Sequence, residues 1–249
     1  MSTAKQPRYT IGILYPGHSA EDDYLTAQQL LGPDIAIRLA HTEMPVDAHQ
    51  EDALLGIGGD EILAAGAAQL PGIDSIIWAC TSGSFVFGWE GAQRQVAALQ
   101  RAAGVPTSST SFAFADAARA LGLRRVAVAA TYPGDVAERF VEFLARAGVG
   151  VARLSSRGIF TAAEVGTLDR EDVLDFAEAN DHPGAEAVLL PDTALHSVAW
   201  LDELEERVGK PVLTANQVCV WQALRLAGPQ PVRQGLGTLF RTQAHQEVG

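Results

Sequence analysis

Short runs of apolar residues alternate along the chain with longer stretches in which apolar residues recur at helical spacing. The short runs are rich in Val, Ile and Leu and almost unbroken, as is typical of strands that helices cover on both faces. This pattern predicts strands over residues 10–15, 35–39, 75–79, 126–130, 149–154, 187–190 and 211–214. It predicts helices over residues 50–70, 90–103, 111–121, 135–147, 169–180, 197–208 and 218–226. Strands and helices that alternate in this way indicate an α/β fold with parallel sheets.

The two halves of the chain resemble each other weakly. Tyr15-Pro16 follows the first predicted strand, and Tyr132-Pro133 follows a strand in the second half. We therefore predict two pseudo-symmetric lobes, each with a parallel sheet flanked by helices. The N-terminal lobe is predicted to comprise residues 1–107 plus 216–249, and the C-terminal lobe residues 108–215. Ligands of open parallel sheets bind beyond the carboxyl ends of the strands, so the loops there are where a site is expected.

Cys80 directly follows the predicted strand over residues 75–79 and precedes a turn rich in hydroxyl groups, which begins with Thr81 and Ser82. A thiolate is both a nucleophile and a base, and the amino end of a following helix favours the anion. The sequence therefore predicts that Cys80 is catalytic and has a lowered pKa, and that the two hydroxyl groups hold a substrate carboxylate. The alternative is a small buried cysteine before an ordinary polar turn. That is our interpretation of Cys219, which lies in an apolar helix.

Asp192 occupies the corresponding place in the second half, after the strand over residues 187–190 and before Thr193. A carboxylate in a partly dry cleft can act as a general acid or base, so Asp192 is the predicted partner of Cys80. It could equally bind a cationic group of the substrate, or only cap a local turn or helix. Other strand ends carry groups suited to binding. The candidate substrate-binding residues are Pro16, Thr81, Ser82, Tyr132, Thr193 and Asn216.

Composition and charge restrict the classes of partner. The net charge of −12 disfavours nucleic acids and anionic membranes. The chain has no apolar run of about 20 residues that could cross a bilayer, and its start lacks the apolar stretch of a signal peptide, so we expect a cytoplasmic protein. The two cysteines and six histidines show no metal-ligand spacing, and no glycine-rich dinucleotide motif is present. We therefore expect neither a metal nor a cofactor.

Several segments resemble the Asp/Glu racemase superfamily, and the similarity covers almost the whole chain. Residues 79–84 (Ala-Cys-Thr-Ser-Gly-Ser) and 213–217 (Leu-Thr-Ala-Asn-Gln) are similar to maleate cis-trans isomerases and to racemase-like ectoine-utilisation proteins. Residues 122–132 and 221–228 are similar to arylmalonate decarboxylases instead. The resemblance implies two lobes around one cleft, a cofactor-free reaction on a small carboxylate, and a homo-oligomer.

The resemblance also implies roles for individual residues. Cys80 matches the first catalytic cysteine of the superfamily, which the arylmalonate decarboxylases replace with glycine. The second catalytic cysteine begins a Cys-Thr-Ala-Leu motif, and this chain has Asp192 in its place. Thr81, Ser82 and Tyr132 match positions that hold the substrate carboxylate in the decarboxylases.

The missing second cysteine leaves three mechanisms open. In the first, Cys80 adds to the substrate or deprotonates it, and Asp192 is the partner acid. In the second, Cys80 protonates an enediolate after loss of carbon dioxide. In the third, Asp192 binds a substrate ammonium group, and there is no second proton carrier. We predict the first, an isomerase of the maleate cis-trans or racemase type. The alternatives are an arylmalonate-type decarboxylase and a non-catalytic protein that binds small carboxylates.

Overall fold

The computed structural model describes residues 6–228 and 231–241. Within these residues the strands form two parallel sheets of four strands each. The first sheet consists of β1 (Tyr9–Pro16), β2 (Ile35–Thr42), β3 (Ser75–Trp78) and β4 (Thr107–Ser109). The second consists of β5 (Arg125–Ala130), β6 (Gly150–Ser156), β7 (Val188–Leu190) and β8 (Val212–Thr214). The strand orders, β2-β1-β3-β4 and β6-β5-β7-β8, are the same, which confirms the predicted pair of pseudo-symmetric lobes.

Helices flank both sheets. They are α1 (Asp23–Leu31), α2 (Glu51–Ile57), α3 (Asp60–Ala67), α4 (Ser82–Phe85), α5 (Gly88–Ala103), α6 (Thr110–Ala120), α7 (Gly134–Arg146), α8 (Ala162–Val165), α9 (Arg170–Ala179), α10 (Leu201–Val208), α11 (Ala215–Ala227) and α12 (Thr238–Arg241). Residues 1–5, 229–230 and 242–249, which belong to the predicted N-terminal lobe, lie outside the described residues. No helix in the described ranges is long and apolar enough to cross a membrane.

Local signals account for several helix ends. The Asp169 side chain accepts a hydrogen bond from the backbone N–H of Asp172, and the Asp172 side chain accepts one from the Asp169 N–H, so a capping box starts α9. Gly148 follows α7 with a φ of +81°, the left-handed conformation expected of a glycine at this place.

The predicted helix over residues 50–70 is in fact two helices, because the chain breaks at Gly58. A Cβ atom on Gly58 would lie only 2.5 Å from the carbonyl oxygen of Gly83. The break therefore lets the loop between α2 and α3 pack closely against α4, the short helix that follows Cys80.

The two candidate catalytic residues follow buried strands at equivalent places in the two sheets. Every residue of β3 and of β7 is buried. These two strands occupy equivalent places in their sheets, and Cys80 and Asp192 each stand two residues beyond the strand end. The last long helix, α11, follows β8 but packs against β1 and β3, and so joins the lobes.

Candidate active site

Cys80 and Asp192 line the same cavity, although they belong to different lobes. Three of the predicted substrate-binding residues, Pro16, Ser82 and Thr193, line it with them. The cavity has a volume of about 30 Å³, room for about one water molecule. A substrate must therefore enter by displacement of part of the cavity wall.

Cys80 is buried at the start of α4 and is a neutral thiol. Its Sγ accepts a hydrogen bond from the Gly83 N–H at 3.3 Å and lies 3.9 Å from Ser82 Oγ. Burial raises the pKa of Cys80 to about 12, and the charge of Asp192 raises the pKa further, while the contacts with Gly83 and Ser82 lower it less. The predicted lowered pKa is therefore wrong. One N–H from a four-residue helix does not offset the loss of hydration of the thiolate.

We expect Cys80 to react slowly with iodoacetamide in the folded protein. At pH 8 its alkylation is expected to be at least about 100-fold slower than in the urea-unfolded chain, because only the thiolate attacks. Site-resolved mass spectrometry measures the rate for each cysteine. The pKa of Cys219 is also raised to about 12 by burial, so this thiol is expected to be protected as well. A folded-state rate at Cys80 equal to the unfolded-state rate would contradict the assigned environment.

Asp192 is a buried carboxylate that accepts hydrogen bonds on both oxygens. The Ala194 N–H donates to Oδ1 at 2.9 Å, and the Thr131 hydroxyl donates to Oδ2 in a short contact. The first of these bonds is the local turn anticipated from the sequence. The second ties the carboxylate to the loop after β5 and orients it beside the cavity that Cys80 also lines.

His49 is a residue of the cavity that the sequence interpretation missed. It lies in the loop between β2 and α2, and its side chain is 7% exposed. Its Nδ1 is 3.0 Å from the carbonyl oxygen of Ile159, and its Nε2 is 4.0 Å from Asp192 Oδ2. This loop also follows the carboxyl end of a parallel strand, so the rule that identified Cys80 and Asp192 could have identified His49 as well.

Thr81 and Tyr132 lie next to the cavity without lining it. The hydroxyl of Thr81 is buried and has no hydrogen-bond partner among the described residues. The Tyr132 phenol donates to the carbonyl oxygen of Pro191 at 3.3 Å, and its ring packs edge-on against the His49 ring with 5.5 Å between centroids. Burial holds the pKa of Tyr132 well above its usual value, so this phenol is neutral.

Asn216 does not face the cavity, and its predicted role in holding a carboxylate is not supported. Its Nδ2 donates to Asp23 Oδ2 at 3.0 Å and to the Thr193 carbonyl at 3.1 Å, while its Oδ1 accepts from the Tyr24 hydroxyl at 3.0 Å. The residue follows strand β8 as predicted. It is the second residue of α11, however, and it is fully buried between α1 and the Thr193 loop. Asn216 therefore holds the backbone of Thr193 in place through this hydrogen bond and does not itself face the cavity.

Hydrogen bonds connect a loop of the first lobe to the second lobe beside the cavity. The Asp47 carboxylate accepts hydrogen bonds from the backbone N–H groups of Ala162 and Ala163 at 2.7 and 3.0 Å, at the start of α8. The His49 N–H donates to the Phe160 carbonyl at 2.7 Å. Asp47, His49 and Ala162 all line the cavity, so these bonds hold part of its wall in place.

We expect Asp47→Ala to weaken substrate binding. Loss of the two hydrogen bonds at α8 costs about 1 kcal/mol, or roughly 2–4 °C in Tm, and favours the open form of the wall. Asp169→Ala is the matched control, since Asp169 caps α9 and does not line the cavity. Both variants are expected to melt slightly earlier, but only Asp47→Ala is expected to raise KM, by about tenfold. The same KM in both variants would contradict a role for Asp47 in closing the site.

The fold also brings together side chains that have no metal-ligand spacing in the sequence. Potential ligand atoms of His18, Glu21 and His41 lie within 4.8 Å of one another. His18 Nδ1 is 3.0 Å from Glu21 Oε1, and His41 Nδ1 is 2.6 Å from the Gly17 carbonyl oxygen. None of the three lines the cavity. The expectation that the histidines do not cluster therefore holds for the sequence spacing and not for the tertiary structure.

Sequence comparisons relate the chain to known enzymes. The family model for arylmalonate decarboxylase matches residues 46–240. The arylmalonate decarboxylase of Bordetella bronchiseptica is 34% identical over 146 residues, which are 57% of this chain and 61% of that protein. The maleate isomerase of Alcaligenes faecalis is 26% identical over 125 residues, which are 50% of this chain and 49% of that protein. The matches thus span about half to three fifths of these relatives.

Structural comparisons extend over nearly the whole chain. A liganded crystal structure of a doubly substituted arylmalonate decarboxylase has a TM-score of 0.82 at 27% identity, and the match covers 94% of this chain and 99% of that one. The Nocardia farcinica maleate cis-trans isomerase bound to Tris has a TM-score of 0.83 at 21% identity over 94% and 98% of the two chains, and so shares the fold. With a family model that matches most of its length, the chain belongs to the arylmalonate decarboxylase family, within the Asp/Glu racemase-like superfamily.

Proposed function

We propose that this protein is a cofactor-independent isomerase of a small dicarboxylate, of the maleate cis-trans type. One observation carries the proposal. Cys80 and Asp192, a potential nucleophile and a potential proton-transfer group from opposite lobes, line a single buried cavity. A reaction in which a thiol adds reversibly to a carbon–carbon double bond needs both groups, because the thiol proton must be held until it is delivered to the other alkene carbon.

The proposed reaction needs no outside reagent. The Cys80 thiol loses its proton to the Asp192 side of the cavity, and the thiolate adds to one alkene carbon. The proton then goes to the other carbon, which leaves a single bond about which the substrate rotates. After the rotation, removal of a proton from that carbon expels the thiolate and gives the trans isomer. A variant of the Nocardia farcinica isomerase, with a TM-score of 0.82 at 23% identity, contains a covalently bound succinylcysteine intermediate.

Neutral donors bind the substrate carboxylates in this proposal. In the part of the chain that the structure describes, neither Lys nor Arg is among the residues that line the cavity. The unpaired hydroxyl of Thr81 and the hydroxyls of Ser82 and Thr193 can each donate to a carboxylate oxygen, while Pro16 closes one wall. Tyr132 does not bind the carboxylates directly in this proposal; its ring packs against the ring of His49, which lines the cavity.

A second candidate function is decarboxylation of an arylmalonate. It is favoured by the family model and by the 34% identity to the Bordetella bronchiseptica enzyme. A buried thiol whose pKa is raised to about 12 also suits the delivery of a proton to an enediolate. In that reaction Cys80 acts alone and Asp192 is not a proton carrier.

Incubation with maleate, phenylmalonate and the two enantiomers of aspartate separates these functions. We expect fumarate to appear from maleate, with no carbon dioxide from phenylmalonate. Carbon dioxide without fumarate would establish the decarboxylase, and interconversion of the aspartates would establish a racemase. Calorimetric binding of maleate without any product would identify a carboxylate-binding protein.

The same proposal includes the location, the partner and the oligomeric state of the protein. We place it in the cytoplasm, where its two free cysteines stay reduced. Its partner is a small carboxylate, and its net charge of −12 argues against nucleic acid or an anionic membrane. We also propose a homo-oligomer, which light scattering coupled to size-exclusion chromatography tests directly.

A further inference from the structure

We infer that His49 is the proton carrier on the Asp192 side of the cavity, and that Asp192 acts as its counter-ion. The inference rests on the proposed isomerase and adds to it a residue outside the predicted pair. Three observations support it: the fixed tautomer of His49, the hydrogen bonds that Asp192 accepts, and the other charged and titratable groups around the imidazole.

The tautomer of His49 follows from its contact with Ile159. A backbone carbonyl oxygen only accepts hydrogen bonds, so the Nδ1 atom at 3.0 Å from it must carry a hydrogen. In the neutral ring Nε2 is then an unprotonated acceptor, and it lies 4.0 Å from Asp192 Oδ2. Nε2 and Oδ2 are then both hydrogen-bond acceptors, so they form no hydrogen bond with each other. A proton on Nε2 converts them into an ion pair.

Asp192 is poorly arranged to be the acid itself. Both of its oxygens accept hydrogen bonds, Oδ1 from the Ala194 N–H and Oδ2 from the Thr131 hydroxyl. These donors suit a carboxylate and compete with a proton on either oxygen. The Nε2 atom of His49 has no such donor among residues 6–228 and 231–241, so it is an open proton acceptor on this side of the cavity.

The groups that face His49 leave Asp192 as the anion available to it. Asp47, from the same loop, is already engaged by the two N–H groups at the start of α8. Tyr132 packs against the ring as a neutral phenol. Tyr15 and Cys80 also line the cavity, and burial raises the pKa of each, so both are neutral. An imidazolium at His49 is therefore neutralised by Asp192.

The proton balance of the reaction is then complete. His49 Nε2 takes the thiol proton of Cys80, directly or through one water in the cavity, and the resulting imidazolium pairs with Asp192. The same proton passes from Nε2 to the substrate carbon after the C–S bond forms. After rotation, a proton leaves that carbon for Nε2 as the C–S bond breaks, and it finally restores the Cys80 thiol. No proton or electron is gained or lost over the cycle.

His49→Asn tests this role against a purely structural one. The Asn amide nitrogen stands about where Nδ1 stands, so it can keep the bond to Ile159, but the variant has no Nε2. We expect kcat to fall about 100-fold with little change in KM, and the acid limb of the pH profile to disappear. His49→Gln, which lacks a titratable group at the Nε2 end, is expected to show the same loss. His41→Asn is the matched control, because His41 also places Nδ1 against a carbonyl oxygen but lies outside the cavity.

A measurement without turnover separates this inference from the proposed function. We expect iodoacetamide to alkylate Cys80 about tenfold more slowly in His49→Asn than in the parent, with Cys219 as the internal reference. If the parent converts no substrate, the proposed function fails and this rate decides the role of His49. Parental kcat and pH profile in a folded His49→Asn would overturn the inference, as would an unchanged alkylation rate.

Discussion

Replacement of Cys80 by serine is expected to lower kcat by about 10⁴-fold or more, while the protein stays folded. A hydroxyl is a much weaker acid and nucleophile than a thiol, so it can neither form the C–S bond nor donate a proton at neutral pH. The change is nearly isosteric, and the serine oxygen can still accept the hydrogen bond from the Gly83 N–H. Steady-state kinetics with maleate and a thermal melt measure the two effects separately.

Cys219→Ser is the matched control for this prediction. Cys219 is as deeply buried as Cys80, but it lies in α11 with its Sγ 3.0 Å from Thr110 Oγ1, away from the cavity. We expect parental turnover and a loss of stability of about 1–3 kcal/mol at most from the buried hydroxyl. Equal turnover in Cys80→Ser and the parent would end the nucleophile hypothesis for both the isomerase and the decarboxylase.

Asp192→Asn is expected to lower kcat by about 10³-fold. The substitution removes the negative charge that neutralises a protonated group beside it. It also replaces one carboxylate oxygen with an NH₂ group, which then faces the Thr131 hydroxyl or the Ala194 N–H in place of an acceptor. The Asn side chain keeps the size of Asp, so KM for maleate is expected to change little.

Asp169→Asn is the control for this second prediction, because Asn caps a helix about as well as Asp and α9 does not line the cavity. Each other result at Asp192 has a defined meaning. Unchanged kinetics on the true substrate would remove Asp192 from the mechanism and leave Cys80 as the sole proton carrier, which favours the decarboxylase. Weaker binding confined to amino substrates would identify Asp192 as a site for an ammonium group.

The elements that the sequence predicted best are those with strong local patterns. The apolar runs of β1, β5 and β7 appear almost where they were expected. Strand β4 was missed because Thr107–Ser109 is polar, and it is a strand only through its pairing with β3. Helix α1 was missed as well, since its apolar residues do not keep to one face: Leu25 and Leu30 are exposed. Its first residue, Asp23, is instead buried by contacts with Ser197 and Asn216.

The sequence by itself determined the α/β architecture, its internal repeat and the placement of Cys80 and Asp192 beyond two equivalent strands. These features depend on periodicity and on neighbours close in the chain. Only the tertiary structure decided that the pKa of Cys80 is raised, that Asn216 is turned inwards and that His49 faces Asp192. Each of these depends on loss of hydration or on contacts between distant segments, as with His49 and Ile159, and no local pattern in the sequence encodes such contacts.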